Sequence, residues 1–184
     1  MPTVASDTLP LGSPAPDFRL PDTQGNMVAR DDFTDKPALL VIFMCNHCPY
    51  VKHLSSALAS FAREFEPRGL AVVGINSNDA EKYPDDSYEA MKEEKLRAGY
   101  PFPYLHDEDQ SVARAYQAVC TPDFFLFDSD RKLVYRGRFD SSTPRNDEPV
   151  TGDDMRDAVT AVLTGQPLAE EQPPAMGCSI KWKT

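Results

Sequence analysis

The sequence of 184 residues has no apolar run that approaches the roughly 18 residues a membrane-spanning helix needs. Its opening, MPTVASDTLPLG, has neither a basic nor an apolar segment, so we expect no signal peptide and a cytoplasmic protein. Basic residues are also few: 19 Lys and Arg against 29 Asp and Glu give a formal net charge of −10. Because this charge repels nucleic acids and anionic lipids, we expect neither nucleic acid nor membrane as a partner.

Cysteine and histidine are scarce, with four and three residues. Four scattered cysteines are too few for the disulfide framework of a small secreted domain. There is also no second close cysteine pair and no paired histidine motif that would complete a zinc site of four ligands. The close pair Cys45 and Cys48 therefore indicates redox chemistry without a cofactor, and a metal site shared with His53 or Cys178 is the alternative.

The apolar pattern predicts an α/β fold. Residues 38–44 and 70–75 are continuous apolar runs of strand length, and residues 49–66 between them repeat apolar positions at helical spacing. Because strand, helix and strand follow one another at this distance, we expect the two strands to be parallel. Other predicted elements are a hairpin over 17–28, helices over about 87–98, through 112–116 and over about 152–164, and a hairpin around 128–132.

The length suits one domain, which we predict over residues 1–184. Residues 1–11 are expected to form a loose arm. Residues 166–184 contain three prolines and no periodicity, so an extended tail is predicted there. The only tryptophan, Trp182, is expected to anchor this tail against the domain.

The acidic residues between the second strand and the next helix have a simple interpretation. Asp86 has Glu89 three positions later, a pattern that predicts the start of the helix near 87–98. The whole acidic stretch from Asp79 to Glu94 is interpreted as a solvated face.

The cysteine motif lies where the first buried strand passes into its helix. Pro49 suits the first helical position, which makes Cys48 the expected N-cap. A helix N-terminus carries a partial positive charge and unpaired N–H groups that stabilise a thiolate. We therefore predict that Cys48 is the nucleophile and Cys45 the resolving thiol. His47, between them, is expected to be an exposed loop histidine that tunes the thiols modestly.

Several motifs resemble a known family. The strand–CxxC–helix junction, Thr121-Pro122 before a later strand, and a hairpin with a closing helix resemble the thioredoxin fold. The opening GSPAPDF and the insertion over 77–118 resemble the redoxin branch, the alkyl hydroperoxide reductase/thiol-specific antioxidant (AhpC/TSA) superfamily. The motifs CNHCPYVKH, VGINSND, FPYLHD and the terminal GCSIKW are similar to a peroxiredoxin-like subgroup of that branch. The resemblance implies a thioredoxin-like α/β fold with an N-terminal hairpin, a helical insertion and a mixed central sheet flanked by helices.

The same resemblance implies roles for particular residues. It places a cis proline at Pro122, after Thr121, beside the redox cysteines. It puts Cys48 at the attacking position of thioredoxin and at the peroxidatic position of peroxiredoxins, with Cys45 in place of the peroxiredoxin threonine. Because GCSIKW is a matched element, the tail is expected to fold back near the site, where Cys178 is either an additional redox cysteine or metal ligand, or a packed thiol. Cys120 is expected to lie in the core.

Three functional hypotheses follow. The first is a thiol–disulfide oxidoreductase that cycles Cys45 and Cys48 between dithiol and disulfide. The second is a thiol peroxidase in which Cys48 becomes a sulfenic acid and Cys45 or Cys178 condenses with it. The third is a metal-binding or metal-delivery module with the same cysteines, helped by His106. The expected partners of the redox enzymes are protein or small-molecule disulfides or peroxides, with a cellular thiol reductant as electron donor.

Overall fold

The structure, a computed structural model, describes residues 3–6 and 9–184. The strands are β1 (Thr3–Ser6), β2 (Arg19–Pro21), β3 (Met27–Ala29), β4 (Ala38–Phe43), β5 (Leu70–Asn76), β6 (Tyr104–His106), β7 (Cys120–Thr121), β8 (Asp123–Phe127), β9 (Leu133–Tyr135) and β10 (Ala175–Ser179). The helices are α1 (Pro49–Phe65), α2 (Tyr88–Ala98), α3 (Ser111–Tyr116) and α4 (Asp153–Leu163), with short 3₁₀ turns at Arg30–Phe33, Glu66–Arg68 and Pro84–Asp86. Within the described part of the chain, no helix combines the length and apolar character needed to cross a bilayer.

The central sheet has five strands in the order β6-β5-β4-β8-β9. The β4–β5 and β5–β6 pairs are parallel, whereas β8 is antiparallel to both β4 and β9. Every residue of β4 and β5 is buried, as the two apolar runs predicted. The predicted α/β class with a mixed central sheet is therefore confirmed.

Hydrophobic residues fill both faces of this sheet. Helix α1 buries the face with Val51, Leu54, Leu58, Phe61 and Phe65, which is the face that the helical spacing predicted. This face belongs to the same buried cluster as the inward residues of α4 and alternate residues of β4. Helix α3 contributes to a second cluster with the other residues of β4. The sheet is thus covered on both sides, and α1 begins at the carboxyl end of β4.

The predicted loose arm and extended tail both contain strands. In the arm over 1–11, residues 3–6 form β1, while residues 1, 2, 7 and 8 lie outside the described residues. In the tail over 166–184, β10 lies between β1 and β7 and is antiparallel to both. These strands have no long alternating pattern, and they form because backbone partners distant in sequence complete their hydrogen bonds. Trp182 anchors the tail as expected, with the Arg114 guanidinium 4.6 Å from its ring centroid.

The start of α2 also differs from the prediction. The N-cap is Ser87, whose Oγ accepts a hydrogen bond of 3.1 Å from the backbone N–H of Ala90. Asp86 is fully buried and does not cap α2. The interpretation of residues 79–94 as a solvated face is wrong at Asp79, Asp86 and Glu94, which are all buried.

Candidate active site

Cys48 caps the N-terminus of α1, as predicted. Its backbone is extended, Pro49 follows at the first helical position, and the N–H of Lys52 donates to the Cys48 carbonyl at 2.9 Å. The backbone N–H of Val51 donates to the same carbonyl at 3.1 Å and also helps to lower the pKa of the Cys48 thiol. The sulfur therefore lies at the positive end of a helix of 17 residues.

Two other thiols converge on the Cys48 sulfur. The thiols of Cys45 and Cys178 and the backbone N–H of Cys178 all lower the pKa of the Cys48 thiol. All three cysteines are buried, and Cys48 is only 1% exposed. The structure thus places Cys178 in the site together with the CxxC pair.

Thr121 connects the two sides of this site. Its peptide bond to Pro122 is cis, as the resemblance implied. Its hydroxyl lies 3.4 Å from the sulfur of Cys45, and its carbonyl oxygen lies 3.3 Å from that of Cys48. Across the strands Thr121 pairs with Cys178, so the backbone register of β7 and β10 fixes the third cysteine.

The hydrogen bonds give the three thiols unequal acidities. The Cys45 thiol, then the Cys178 thiol and the N–H groups of Val51 and Cys178, lower the pKa of Cys48 to about 4 despite the cost of burial. Donation to Cys48, followed by burial, raises the pKa of Cys45 well above its usual range. Burial, and then donation to Cys48, raises the pKa of Cys178 to about 11. One negative charge is therefore shared by three sulfurs and is centred on Cys48, whose neutral form instead donates to the Thr121 carbonyl.

His47 and Asp86 lie close together beside Cys45. Nδ1 of His47 lies 2.5 Å from Oδ2 of Asp86, and the His47 side chain is 16% exposed rather than an open loop side chain. The contact is not aligned as a hydrogen bond, and neither ring nitrogen has another partner among the described residues. The His47 ring also stacks on Tyr83 with centroids 6.0 Å apart. The prediction of an exposed histidine was thus wrong, because a buried acid from the next segment covers it.

Asp86 is a site residue that sequence reasoning missed. Its carboxylate accepts hydrogen bonds from the N–H of Asn46 at 2.7 Å, from the Asn78 amide at 2.9 Å and from the Asn76 amide at 3.2 Å. The carboxylate therefore fixes the backbone between the two cysteines. A usable signal was present in the sequence: Asp86 and Ser87 are both good N-cap residues, and only one of them can cap α2.

The three donor atoms of Cys45, His47 and Asp86 lie within 4.8 Å of one another, a group that could hold a metal ion. Zinc normally takes four ligands, and both Asp86 oxygens already accept hydrogen bonds from asparagines. The predicted helpers are engaged elsewhere: His53 Nε2 lies 2.5 Å from Ser142 Oγ, and the His106 ring stacks on Tyr88. The cluster fits a charge network better than a metal centre.

Cys120 lies beside the site but outside the thiol cluster. It is fully buried, as expected, and its sulfur lies 3.6 Å from the Pro122 carbonyl oxygen. Burial raises its pKa above the usual range, so it is an unreactive thiol.

A partly apolar cleft opens next to the cluster. Its lining includes Tyr50, Leu54, Pro122, Phe139 and Met176. Met176 is 48% exposed, two residues before Cys178 in β10. The cleft therefore joins the start of α1, the cis proline and the C-terminal strand.

Comparisons with known proteins agree with this geometry. The sequence profile of the AhpC/TSA family matches residues 11–136. The chain is similar to an uncharacterised conserved protein from Geobacillus kaustophilus, with 52% identity, a TM-score of 0.97, and coverage of 100% of this chain and 97% of that one. The thioredoxin domain of a thiol-disulfide oxidoreductase from Bacteroides vulgatus has a TM-score of 0.66 at 22% identity, with coverage of 84% of this chain and 99% of that one, which establishes the thioredoxin fold.

Two curated relatives are named for redox activities. The thiol-disulfide oxidoreductase ResA from Bacillus subtilis is 27% identical over 128 residues, which cover 70% of this chain and 67% of ResA. The chloroplastic peroxiredoxin Q from Oryza sativa subsp. japonica is 28% identical over 105 residues, which cover 57% of this chain. The match spans only 45% of peroxiredoxin Q.

Proposed function

This chain belongs to the AhpC/TSA family, and from that membership we propose that it is a thiol–disulfide oxidoreductase with Cys48 as its nucleophile. The observation that carries the proposal is the convergence of two thiol donors and a helix N-terminus on one sulfur. A sulfur held ionised at neutral pH beside protonated thiols is equipped to attack a disulfide and then to be displaced from it.

The proposed cycle has two exchange steps. The Cys48 thiolate attacks a substrate disulfide, forms a mixed disulfide and releases the first substrate thiolate. Cys45 then attacks the Cys48 sulfur, closes the Cys45–Cys48 disulfide and gives its proton to the second leaving thiolate. The substrate is reduced by two electrons and the enzyme is oxidised by two. A thiol reductant restores the dithiol.

The neighbouring groups have supporting roles in this proposal. Pro49 fixes the start of α1, and the Thr121 hydroxyl and the cis Pro122 hold the other side of the thiols. His47 and Asp86 form a polar pair near Cys45. The cleft of Tyr50, Pro122 and Met176 offers an apolar surface for the substrate chain that flanks the disulfide.

The test is reduction of a protein disulfide and of a small-molecule disulfide. We expect Cys48→Ser to abolish turnover and Cys120→Ser, which changes a buried thiol outside the cluster, to retain it. Full activity in Cys48→Ser would overturn the assignment of the nucleophile.

A thiol peroxidase is the second candidate, favoured by the match to peroxiredoxin Q and by the low pKa of Cys48. In this reaction Cys48 attacks a peroxide oxygen, releases the alcohol or water and becomes a sulfenic acid, which a neighbouring thiol condenses with to release water. Stopped-flow measurement of peroxide oxidation distinguishes the candidates. A rate no faster than that of a free thiol argues for disulfide chemistry alone.

Both candidates need a cellular thiol as electron donor, and disulfides or peroxides of proteins or small molecules as substrates. A reducing compartment supplies such a donor, which supports the proposal of a cytoplasmic location. Reduction potentials of the cysteine pair, measured against glutathione, test this assignment. A couple with a potential far below that of glutathione, which glutathione could not keep in the dithiol form, would contradict it.

A further inference from the structure

Resting on the proposed function, we infer that two exchanges replace the direct attack of Cys45 on the mixed disulfide: Cys178 first displaces the substrate from Cys48 and closes a Cys48–Cys178 disulfide, which Cys45 then exchanges for the Cys45–Cys48 disulfide. The C-terminal strand is thus part of the reacting centre, and the site is a relay of three sulfurs rather than a pair.

Geometry places Cys178 beside the reacting sulfur. Cys178 pairs across the strands with Thr121, whose carbonyl oxygen lies 3.3 Å from the Cys48 sulfur, and both cysteines belong to the same buried cluster. This position is built into the sheet, because β10 pairs with β1 at Thr3 and with β7 at Thr121. Since Cys178 lies in the middle strand of three, its sulfur is held against Cys48 before a substrate arrives.

The charges around the two candidate thiols differ in sign. The Cys45 sulfur lies within 4.8 Å of a carboxylate oxygen of the buried Asp86, whose charge opposes formation of a second thiolate. The ammonium group of Lys181 favours ionisation of Cys178. An attacking thiol must lose its proton, so the electrostatic surroundings favour Cys178 for the first displacement. The Thr121 hydroxyl favours ionisation of Cys45, but it is the weakest influence on that thiol.

Once the mixed disulfide has formed, the relay balances in two steps. In the mixed disulfide, the Cys178 sulfur attacks the Cys48 sulfur, the bond from Cys48 to the substrate breaks, and the Cys178 proton goes to the leaving substrate thiolate. Cys45 next attacks the Cys48 sulfur and breaks the Cys48–Cys178 bond, and its proton returns to Cys178. The net result is one substrate disulfide reduced to two thiols and one Cys45–Cys48 disulfide formed.

An aromatic disulfide whose thiol is coloured tests the inference, because the attack of Cys48 and the displacement from Cys48 each release one equivalent of substrate thiol. We expect Cys45→Ser to release two equivalents per chain and to yield a Cys48–Cys178 disulfide in peptide mapping. The double variant Cys45→Ser/Cys178→Ser is expected to release one equivalent and to keep the mixed disulfide on Cys48. In the wild type, acid quenching at early times is expected to trap Cys48–Cys178 before Cys45–Cys48.

The inference is overturned if Cys45→Ser releases a single equivalent and leaves Cys178 reduced, or if Cys45–Cys48 is the earliest disulfide in the wild type. Failure of the proposed function looks different, since the first equivalent and the mixed disulfide on Cys48 would then be absent from every variant. Cys120→Ser serves as the control for replacing a buried cysteine, and we expect it to show the wild-type release pattern.

Two lysine variants test the effect of charge on Cys178. In the Cys45→Ser background, Lys181→Gln is expected to slow the second release without slowing the first, because it removes the cation beside Cys178. Lys183→Gln changes an exposed lysine on the same segment and is expected to leave both phases unchanged. Equal rates for the two lysine variants would overturn the electrostatic preference for Cys178.

Discussion

Gly177 lies directly against the carbonyl group of Thr121. A Cβ atom at position 177 would stand 2.0 Å from the Thr121 oxygen and 2.6 Å from its carbonyl carbon. These are backbone atoms, which cannot move aside as the end of a flexible side chain can. The absence of a side chain at Gly177 therefore allows β10 to approach the cis-proline segment and places Cys178 at Cys48.

Gly177→Ala tests this close approach. We expect the new methyl group to displace β10, to withdraw the hydrogen bonds of Cys178 from Cys48, and to destabilise the fold by about 1–3 kcal/mol, as overpacking does. The Cys48 pKa is expected to rise as a consequence. Urea unfolding and pH titration of the thiolate absorbance measure the two effects. Met176→Ala, at an exposed position of the same strand, is the control, and a Gly177→Ala variant equal to it on both measurements would contradict this account.

The ionisation of Cys48 gives a second prediction. Because its pKa is lowered to about 4, the thiolate is expected to be fully formed at pH 6, where a free thiol with a pKa of about 8.5 is ionised to only about 0.3%. Ultraviolet thiolate absorbance of the reduced protein should hence be level between about pH 5 and 8 and fall near pH 4. Cys48→Ser should remove this signal. A titration centred above pH 7 in the wild type would show that the donors do not hold the charge on Cys48.

The buried carboxylate of Asp86 gives a third prediction. Asp86→Ala leaves the donors of Asn46, Asn76 and Asn78 without their acceptor, so we expect a loss of about 2–4 kcal/mol in the free energy of unfolding. Asp85→Ala changes an exposed carboxylate next to it and is expected to stay within about 0.5 kcal/mol of the wild type. Chemical denaturation measures the unfolding free energies of the two variants. Equal losses of stability would mean that the Asp86 carboxylate does not hold the segment between Cys45 and Cys48.

Asp123 gives a prediction on pH and stability. It is buried where β8 meets β1, and Oδ2 accepts from Ser6 Oγ at 2.8 Å, whereas Oδ1 has no hydrogen-bond partner in the described ranges. Burial raises its pKa to about 6, above the unfolded value of about 3.9. Because the native state prefers the protonated form, this contribution to stability is complete below about pH 4 and is lost as pH rises to about 6.

The measurement for Asp123 is a comparison of unfolding free energies with Asp123→Asn at several pH values. The amide stays neutral at every pH. The unfolding free energy of Asp123→Asn relative to that of the wild type should therefore increase from pH 4 to 6, by at most about 1.4 kcal/mol per pH unit. Other carboxylates titrate in both proteins and cancel in the difference. A difference that does not change with pH would contradict the raised pKa.

The sequence by itself determined the parts whose information is local. The apolar run over 38–44 predicted β4, the spacing after Pro49 predicted α1 and its buried face, and the step between them placed Cys48 at the helix start. These features depend on the periodicity of a few adjacent turns or residues, so a pattern in the chain specifies them. The resemblance of the motifs to a known family also predicted that Pro122 is cis and that the tail folds back to the site.

The tertiary structure decided which distant groups meet at Cys48. Strands β1 and β7 are too short to be read from alternation, and their pairing with β10 depends on backbone partners more than 50 residues away in sequence. The burial of Asp86 was equally hidden, since an acidic stretch of this composition is usually solvated and only its neighbours in space show that the carboxylate has donors. A one-dimensional pattern records what each residue prefers, but the acidity of Cys48 depends on which donors the fold brings to it.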